Sequence, residues 1–365
     1  MKTALIHDWL VTSGGAEKVL EEIWSLYPSP IFTLVNGNIL PGKKIISSVL
    51  QKMPGSLRFH RYFLPVFPWA IEKFDLSEFE VILSSSHAVA KGIKKREDQL
   101  HICYCHTPMR YAWDLEKQYM ENLGTVQRWG AQTILKYLRE WDRSSSNRVD
   151  HFIANSAYVA ERIERIYGRK ATVIYPPVST EQFYLSEKKE DFYLTISRLV
   201  PYKKIELIIG AFASFPDREL IVVGDGPEMS RLKEIATPNV KLMGHQTDEA
   251  VSSLLSQARA FIFAAEEDFG IVPVEAQASG TPVIAFGKGG ACETVIAGKT
   301  GIFFEEQTVQ SLVNAMHNFE KLVFDPVQIK AHAETFNKER FKREFKTFVE
   351  HKWREFSENR YSSRR

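Results

Sequence analysis

Short apolar strands alternate with helical stretches along the whole chain of 365 residues. Six strands are predicted in the first half, at residues 4–7, 31–35, 81–84, 102–105, 152–155 and 172–175. Six more are predicted in the second half, at 192–197, 220–223, 240–243, 261–265, 283–285 and 301–304. Helices are predicted between them, including 16–26, 157–167, 205–215, 229–235 and 309–319. This alternation is typical of doubly wound parallel sheets, and there are enough strands for two such sheets.

The chain is also longer than one typical hydrophobic core, which favours two domains. A polar segment at 179–191 interrupts the alternation after two prolines and is the best candidate linker. We therefore predict a first domain over 1–178 and a second over 186–337. The last helix, 338–360, carries apolar side chains at spacings of three and four, namely Phe341, Phe345, Val349, Trp353 and Phe356. This stripe favours packing against the body of the protein over lying on a membrane surface.

The amino-acid composition of the chain argues against several classes of protein. A hydrophobic fraction of 44%, a charged fraction of 25% and a net charge of +2 are those of an ordinary globular protein, and give no reason to expect nucleic-acid binding. Three cysteines are too few for a disulfide framework. No apolar run is long enough to span a membrane, and the first residues resemble a strand more than a signal peptide. A cytoplasmic location is therefore expected.

Two carboxylates, Glu267 and Glu275, are separated by seven residues where a strand is predicted to give way to a helix. Parallel sheets bind ligands at such turns, because the first amides of the helix have no acceptor within it. Both carboxylates can therefore face a ligand held by the backbone of Phe269, Gly270 and Ile271. The alternative interpretation is a helix-dipole charge and a solvated helix residue.

Two cations follow another predicted strand, Arg198 and Lys203, with Pro201 restraining the loop between them. The planar guanidinium and the point charge of an ammonium together suit a diphosphate. Either cation alone would be interpreted as an ordinary surface charge, but the pair at one strand end favours phosphate contact.

Three glycine-containing turns have weaker patterns. Gly14 and Gly15 precede a predicted helix, where adjacent glycines let backbone amides approach an anion, although the glycines can also be purely steric. The segment 224–228 is interpreted mainly as a structural turn. Gly244 and His245 end the next strand and could lend backbone groups to a nucleotide base.

His106 follows the strand predicted at 102–105, at the strand end where parallel sheets bind ligands. Its imidazole can hydrogen-bond a sugar hydroxyl or a phosphate oxygen, and Tyr111 or Trp113 nearby could stack on a pyranose ring. A lone histidine is more often a structural residue. The chain also has no Asp-x-Asp pair, so a nucleotide-sugar enzyme of this sequence would neutralise its leaving diphosphate with protein groups, without a metal ion or other cofactor.

Taken together and in order, these segments resemble the family 4 retaining glycosyltransferases. The resemblance covers nearly the whole chain and rests on Gly14-Gly15, His106, the segments 197–203 and 224–228, and the Glu267/Glu275 pair. The family implies the GT-B fold, two doubly wound domains facing a cleft, with the final helix crossing back to the first domain. The first domain would bind the acceptor and the second the nucleotide sugar.

The resemblance also implies roles for individual residues. Arg198 and Lys203 would hold the donor diphosphate. Glu275 would bind the ribose and Glu267 the transferred sugar. His106 matches the family's sugar-contacting histidine.

Backbone amides of 269–271 would contact sugar and phosphate in the same family. Asp268 stands among these donor-binding residues where the family usually has glycine.

The segments 7–10, 84–92 and 105–111 look most like the bacterial O-antigen and capsule mannosyltransferases. GDP-mannose is therefore the first choice of donor, a UDP-sugar the alternative, and a lipid-linked or polysaccharide glycan the expected acceptor. Two other functions remain open, a non-catalytic glycan-binding or nucleotide-binding scaffold subunit and a nucleotide-sugar epimerase. Residues 58–69 mix arginines with large apolar groups, so they either rest on an anionic membrane or are buried in the first domain.

Overall fold

A computed structural model of the protein describes residues 1–114 and 124–362. The chain forms two compact units, the first of residues 1–176 and 341–365 and the second of residues 177–340. Each unit contains a parallel sheet with helices on its faces, so the predicted pair of doubly wound α/β sheets is confirmed.

The first unit contains a seven-stranded sheet in the order β3-β2-β1-β4-β5-β6-β7. Its strands are β1 (Thr3–His7), β2 (Ile31–Thr33), β3 (Ile45–Ser47), β4 (Val81–Ser86), β5 (Leu100–Cys105), β6 (His151–Ala154) and β7 (Ala171–Val173). Its helices are α1 (Gly15–Leu26), α2 (Ser56–Phe59), α3 (Phe67–Ile71), α4 (Arg110–Trp113), α5 (Thr125–Ser145) and α6 (Ala157–Tyr167). Short 3-10 turns lie at Val49–Lys52, His60–Val66, Ala90–Gly92 and Ser146–Arg148.

The second unit contains a six-stranded sheet in the order β10-β9-β8-β11-β12-β13. Its strands are β8 (Phe192–Ile196), β9 (Glu219–Val223), β10 (Val240–Gly244), β11 (Ala260–Phe263), β12 (Val283–Phe286) and β13 (Gly301–Phe304). Its helices are α7 (Ile205–Phe212), α8 (Met229–Ile235), α9 (Asp248–Gln257), α10 (Ile271–Ala278), α11 (Ala291–Thr294), α12 (Val309–Phe319) and α13 (Pro326–Ala333). Three 3-10 turns lie at Thr180–Gln182, Pro201–Lys203 and Glu334–Phe336.

The segment at 179–191, whose polarity predicts a linker, is part of the second unit. It forms the turn Thr180–Gln182, and the Thr180 hydroxyl donates to Glu334 at 2.7 Å. Lys189 donates to the backbone oxygens of Ser256 and Ser279 at 2.7 and 3.1 Å. These hydrogen bonds attach the segment to the second unit. Its polar residues therefore make contacts within the unit and do not form a free linker.

The last helix, α14 (Lys338–Ser362), belongs to the first unit from Phe341 onward. Phe341, Phe345 and Val349 are buried in the same core cluster as residues of α1 and β1. The stripe of apolar residues at spacings of three and four is therefore buried on the protein, at least over this part of the helix.

Local sequence explains where α6 begins and ends. The Ser156 hydroxyl accepts a hydrogen bond from the Val159 amide at 3.0 Å, which satisfies one of the unpaired amides of the first turn. Gly168 ends the helix with a φ of 66°, in the left-handed region that favours glycine. Both boundaries agree with the helix predicted at 157–167.

Candidate functional site

In the parallel sheet of the second unit, the order in which successive strands are added reverses between β8 and β11. Strands β9 and β10 extend the sheet on one side, and β12 and β13 extend it on the other. Open α/β sheets bind ligands beyond the carboxyl ends of the strands at such a reversal point. The Arg198/Lys203 loop follows β8 and the Glu267/Glu275 segment follows β11, so both predicted motifs border this point.

The loop after β8 presents its two cations differently. Arg198 is exposed, whereas Lys203 lies at the end of the 3-10 turn Pro201–Lys203 with its side chain 17% exposed. The Lys203 ammonium lies 5.5 Å from the centre of the Tyr202 ring, at cation–π distance. Lys203 therefore has a fixed position, and Arg198 extends into solvent.

Lys203 Nζ forms an ion pair with Glu267 Oε1. The two side chains are 17% and 19% exposed, so the pair is largely shielded from water. Electrostatic interactions are stronger in such a low-dielectric environment than in water. The structure thus joins a residue assigned to the diphosphate with one assigned to the transferred sugar. Neither motif alone indicates this contact.

Helix α10 begins directly after this ion pair. Gly270 precedes it with a φ of 84°, a left-handed conformation that favours glycine. The amides of Ile271 and Val272 are in the first turn, where helix geometry leaves them without an acceptor inside the helix. Glu275 lies on the second turn. These positions give the start of α10 the character of an anion site.

The side chains of the same turn have different environments. Phe269 is buried and its ring packs 5.8 Å from that of Phe336, so only its backbone can meet a ligand. Asp268 is half-buried, between Glu267 and Phe269.

Sequence reasoning missed a second loop, Gly289-Gly290, that supports this turn. The Gly290 amide donates to the Glu267 carbonyl at 2.8 Å. A β-carbon on Gly290 would lie 2.3 Å from the α-carbon of Phe269, and one on Gly289 would lie 2.5 Å from the Glu267 carbonyl oxygen. The available signal is a pair of adjacent glycines in the loop after a strand, the same pattern as Gly14-Gly15.

The turn at 224–228 packs on the loop after β8 in the same way. A β-carbon on Gly224 would lie 1.9 Å from the Ser197 carbonyl oxygen, and one on Gly226 would lie 2.3 Å from that of Leu199. The Leu199 amide also donates to the Asp225 carbonyl at 2.9 Å. This close backbone packing agrees with its interpretation as a structural turn.

Gly244 and His245 lie at the end of β10, an edge strand separated from β8 by β9. The Gly244 carbonyl accepts a hydrogen bond from the Gly224 amide at 2.8 Å, and His245 is exposed. Two strand spacings amount to about 10 Å, so these residues lie farther from the cations than the two central motifs do.

In the first unit the strand order reverses between the parallel strands β1 and β4, and Gly14 and Gly15 lie in the loop after β1. Gly14 caps α1 in an extended conformation, with a φ of −151°, so its backbone does not require glycine. A β-carbon there would lie 3.1 Å from Glu17 Oε2. The glycine therefore leaves room for a buried carboxylate at the start of α1.

His106 follows β5 and is 9% exposed. Its Nε2 lies 2.8 Å from the Ser85 hydroxyl at the end of β4. Burial lowers the pKa of His106 well below its ordinary value, and the charges of His87 and His7 act in the same direction. The imidazole is therefore neutral at physiological pH.

Asp8, a residue with no sequence-based assignment, fixes the loop after β4. Its carboxylate accepts hydrogen bonds from four backbone amides, those of residues 87 to 90, at 2.6 to 3.1 Å. Its Oδ2 also lies 3.1 Å from Nδ1 of His87. Asp8 is fully buried, so these bonds replace the water it loses.

Two family models match the chain, and together they extend from residue 30 to residue 336. The model of glycosyltransferase family 4 matches residues 30–182, in the first half. The model of glycosyl transferases group 1 matches residues 179–336 and contains both motifs of the second unit. The resemblance stated from the sequence is thereby confirmed.

Curated relatives match over part of their length. An uncharacterised glycosyltransferase of Methanocaldococcus jannaschii is 27% identical over 48% of this chain and 50% of its own length. The GDP-mannose-dependent monoacylated α-(1-6)-phosphatidylinositol monomannoside mannosyltransferase of Corynebacterium glutamicum is 29% identical, over 67% of this chain and 72% of its own length. The O-antigen chain mannosyltransferase RfbU of Salmonella typhimurium is 28% identical, over 40% and 45%. The chain thus spans about half the length of the first and third of these relatives.

Solved structures share the fold over nearly the whole chain. Anabaena HepE in complex with UDP has a TM-score of 0.70 at 20% identity, covering 96% of this chain and 100% of that one. Sucrose-phosphate synthase of Thermosynechococcus elongatus has a TM-score of 0.73 at 18% identity, covering 97% and 99%. With the two parallel sheets, these similarities confirm the expected GT-B fold.

Proposed function

This chain belongs to glycosyltransferase family 4, and on that premise we propose that it transfers a hexose from a nucleotide sugar to a glycan acceptor. The observation that carries the proposal is the pairing of Lys203 with Glu267 at the reversal point of the second sheet, directly before the N-terminus of α10. A fixed cation and unpaired amides suit the two phosphates of a donor, while the carboxylate suits sugar hydroxyls.

Mannose from GDP-mannose is the proposed donor group. The Corynebacterium relative is named as GDP-mannose-dependent, and RfbU as a mannosyltransferase. A UDP-sugar is the second candidate, supported by the likeness to Anabaena HepE, whose structure contains UDP. The acceptor proposed on the same basis is a lipid-linked or polysaccharide glycan of cell-surface synthesis.

A panel of nucleotide sugars tests the donor. The protein is incubated with GDP-mannose, UDP-glucose, UDP-galactose and UDP-N-acetylglucosamine, and slow hydrolysis is followed by release of the free nucleotide. Hydrolysis of GDP-mannose above the others supports the first choice, and preference for a UDP-sugar supports the second. Nucleotide binding without any sugar release would instead favour a scaffold subunit, and isomerised nucleotide sugar an epimerase.

The proposed reaction retains the anomeric configuration. The bond between sugar C1 and the diphosphate oxygen breaks, and the acceptor oxygen bonds to C1 on the same face. The acceptor proton passes to the departing diphosphate oxygen. Arg198, Lys203 and the first amides of α10 stabilise the charge that develops on the diphosphate, so this mechanism requires no protein nucleophile.

Other residues are proposed to position the donor. Glu275 binds the ribose, and Glu267 orients the transferred sugar. The backbone at 268–271 contacts sugar and phosphate, while Gly244 and His245 contact the base. In the first unit, Gly14 and Gly15 offer amides to the donor and His106 bonds a sugar oxygen.

Metal independence is part of the proposal, because protein groups neutralise the diphosphate. Turnover is expected to continue unchanged in excess EDTA. Activity that EDTA abolishes and Mg²⁺ restores would contradict this mechanism while leaving the donor assignment in place.

The location proposed for the protein is the cytoplasmic face of a membrane that contains the acceptor. No helix within the described ranges combines the length and the apolar character needed to cross a bilayer. Residues 56–71 carry five exposed apolar side chains, Leu57, Phe59, Tyr62, Val66 and Trp69. Arg58 and Arg61 are exposed beside them, a composition suited to an anionic lipid surface.

Vesicle co-sedimentation tests the membrane contact. Binding to vesicles containing phosphatidylglycerol should exceed binding to pure phosphatidylcholine, and the double variant Tyr62→Ser/Trp69→Ser should weaken it. Trp129→Ser is the matched control, because Trp129 is 72% exposed on α5, outside this segment. Vesicle binding that changes neither with anionic lipid nor with the double substitution would contradict the proposed membrane contact.

A further inference from the structure

Four buried side chains form a hydrogen-bonded row across three adjacent strands of the first sheet. His7 ends β1, Ser85 is near the end of β4, and His106 follows β5. Ser85 Oγ lies 2.8 Å from His106 Nε2 and 3.2 Å from His7 Nδ1. On the other side of His7, Nε2 lies 3.5 Å from Oε1 of Glu17 on α1. The row lies at the reversal point of this sheet.

Both ring nitrogens of His7 face oxygen atoms that accept hydrogen bonds. Nδ1 lies 3.1 Å from the Ser85 carbonyl oxygen, which can only accept, so Nδ1 carries a hydrogen. Nε2 faces the Glu17 carboxylate. Burial by itself raises the pKa of Glu17, but the hydrogen bond and the charge of His7 outweigh it and hold the pKa below its usual value. The Glu17 carboxylate is therefore ionised where it faces His7.

The hydrogen on His7 Nδ1 determines the direction of the hydrogen bond between Ser85 and His106. A hydrogen on His7 Nδ1 leaves the Ser85 hydroxyl as an acceptor on that side. Its own hydrogen then points to His106 Nε2, which is 2.8 Å away and must accept. Neutral imidazole carries one hydrogen, so that of His106 is on Nδ1.

The groups around His106 favour the same neutral form. His87 lies 6.4 Å from it and Tyr104 lies 5.1 Å from it, measured between ring centres. Burial lowers the pKa of His106, and the electrostatic effects of His87 and His7 lower it further. The nearby carboxylates, Glu17 and Asp8, are already paired with His7 and with the loop after β4.

We propose that Ser85 and His7 are positioning residues that hold His106 with its hydrogen on Nδ1, so that His106 donates a hydrogen bond to a ligand oxygen and does not act as a base. The ligand oxygen belongs to the nucleotide sugar or the acceptor. Only this identification of the ligand rests on the proposed function, and the tautomer of His106 does not. The hydrogen on His7 Nδ1 sets the tautomer of His106 through the Ser85 hydroxyl.

Nitrogen-15 NMR of histidine-labelled full-length protein tests the tautomer directly. The His106 signals are identified by their loss in His106→Gln, among the ten histidines of the chain. At pH 7 the Nε2 shift should be that of an unprotonated nitrogen and the Nδ1 shift that of a protonated one. A hydrogen on Nε2, or a charged His106, would overturn the proposal.

Kinetics of substituted enzymes provide the second test. Ser85→Ala should lower kcat/KM about tenfold, the effect of losing one hydrogen bond, and Ser85→Thr should restore most of it. Ser84→Ala is the matched control, because the Ser84 hydroxyl makes a bond of the same 2.8 Å length to His101 on the same pair of strands. Equal kcat/KM values for Ser84→Ala and Ser85→Ala would refute the positioning role. The NMR test needs no substrate, so an absence of sugar transfer would count against the proposed function alone.

Discussion

Arg198 is the exposed cation of the site, and its proposed task is to bind the departing diphosphate. Arg198→Ala should lower turnover by about 10²- to 10³-fold, the effect of removing one preorganised donor from a developing charge. Lys241→Ala serves as the control, because Lys241 is an exposed cation of the same sheet paired with Glu219 at 2.8 Å. Measured kcat values within a factor of two for the two variants would exclude this role for Arg198.

Gly289 packs against the turn that carries Glu267, so a larger residue at this position should disturb the site. It has a φ of 70°, and a β-carbon on it would lie 2.5 Å from the Glu267 carbonyl oxygen. Gly289→Ala should therefore displace Glu267 and lower turnover at least about tenfold, in addition to a backbone cost of about 1–2 kcal/mol.

Gly298 provides the matched control for this substitution. Its φ is 73°, nearly that of Gly289, but a β-carbon on it would meet nothing within 4 Å. Gly298→Ala should therefore show the backbone cost in a urea unfolding experiment and unchanged turnover. A similar loss of turnover in both variants would mean that backbone strain, and not displacement of Glu267, is responsible.

At the residue scale, sequence identified the main candidate residues of the second unit but not their contacts. Lys203 and Glu267 stand at two strand ends distant in the chain, and they meet only because β8 and β11 are neighbours in the sheet. The row from Glu17 to His106 was missed for the same reason. Strand order is set by the packing of the whole unit, and no local pattern of residues reports it.

At the scale of elements, β4 and β5 are joined by a buried polar contact that depends on pH. His101 Nδ1 lies 3.2 Å from the Arg148 carbonyl, which can only accept, so in the neutral ring Nε2 accepts a hydrogen bond from the Ser84 hydroxyl at 2.8 Å. Burial lowers the pKa of His101 from 6.5 to about 4. The unfolded chain thus takes up a proton near pH 6.5 that the folded protein takes up only near pH 4.

The sign of the effect follows from proton linkage. Between pH 6.5 and about 4 the unfolded state binds more protons at His101, so the free energy of unfolding falls as the pH falls. The full difference amounts to about 3 kcal/mol at the acid end of this window. Urea unfolding from pH 7 to pH 4.5 should show this loss, and His101→Gln should flatten it. An unchanged slope in His101→Gln would assign the acid sensitivity to other groups.

Sequence predicted the strands better than the ends of the helices. All twelve predicted strands are present, because buried parallel strands form short apolar runs. Strand β3 was missed, since its three residues are only partly buried at the sheet edge. The helix predicted at 205–215 ends at Phe212, where the apolar run continues into a turn that apolar content alone cannot distinguish from helix.

At the scale of the whole molecule, tryptophan distribution separates the two units in a fluorescence experiment. All seven tryptophans lie within residues 1–176 and 341–365, which form the first unit. Intrinsic tryptophan fluorescence therefore follows unfolding of the first unit, including the part of α14 that belongs to it.

The last helix should contribute strongly to that transition. Phe345 is 1% exposed, and its ring lies 5.5 Å from Phe341, 6.3 Å from Tyr104 and 6.4 Å from Tyr27. Phe345→Ala would leave a cavity in this aromatic cluster, so it should lower the free energy of unfolding seen by tryptophan fluorescence by about 3–5 kcal/mol. Phe348→Ala, on the same helix but only partly buried, should cost clearly less. Equal costs for the two variants would mean that α14 does not stabilise the first unit through the Phe341–Phe345 stripe.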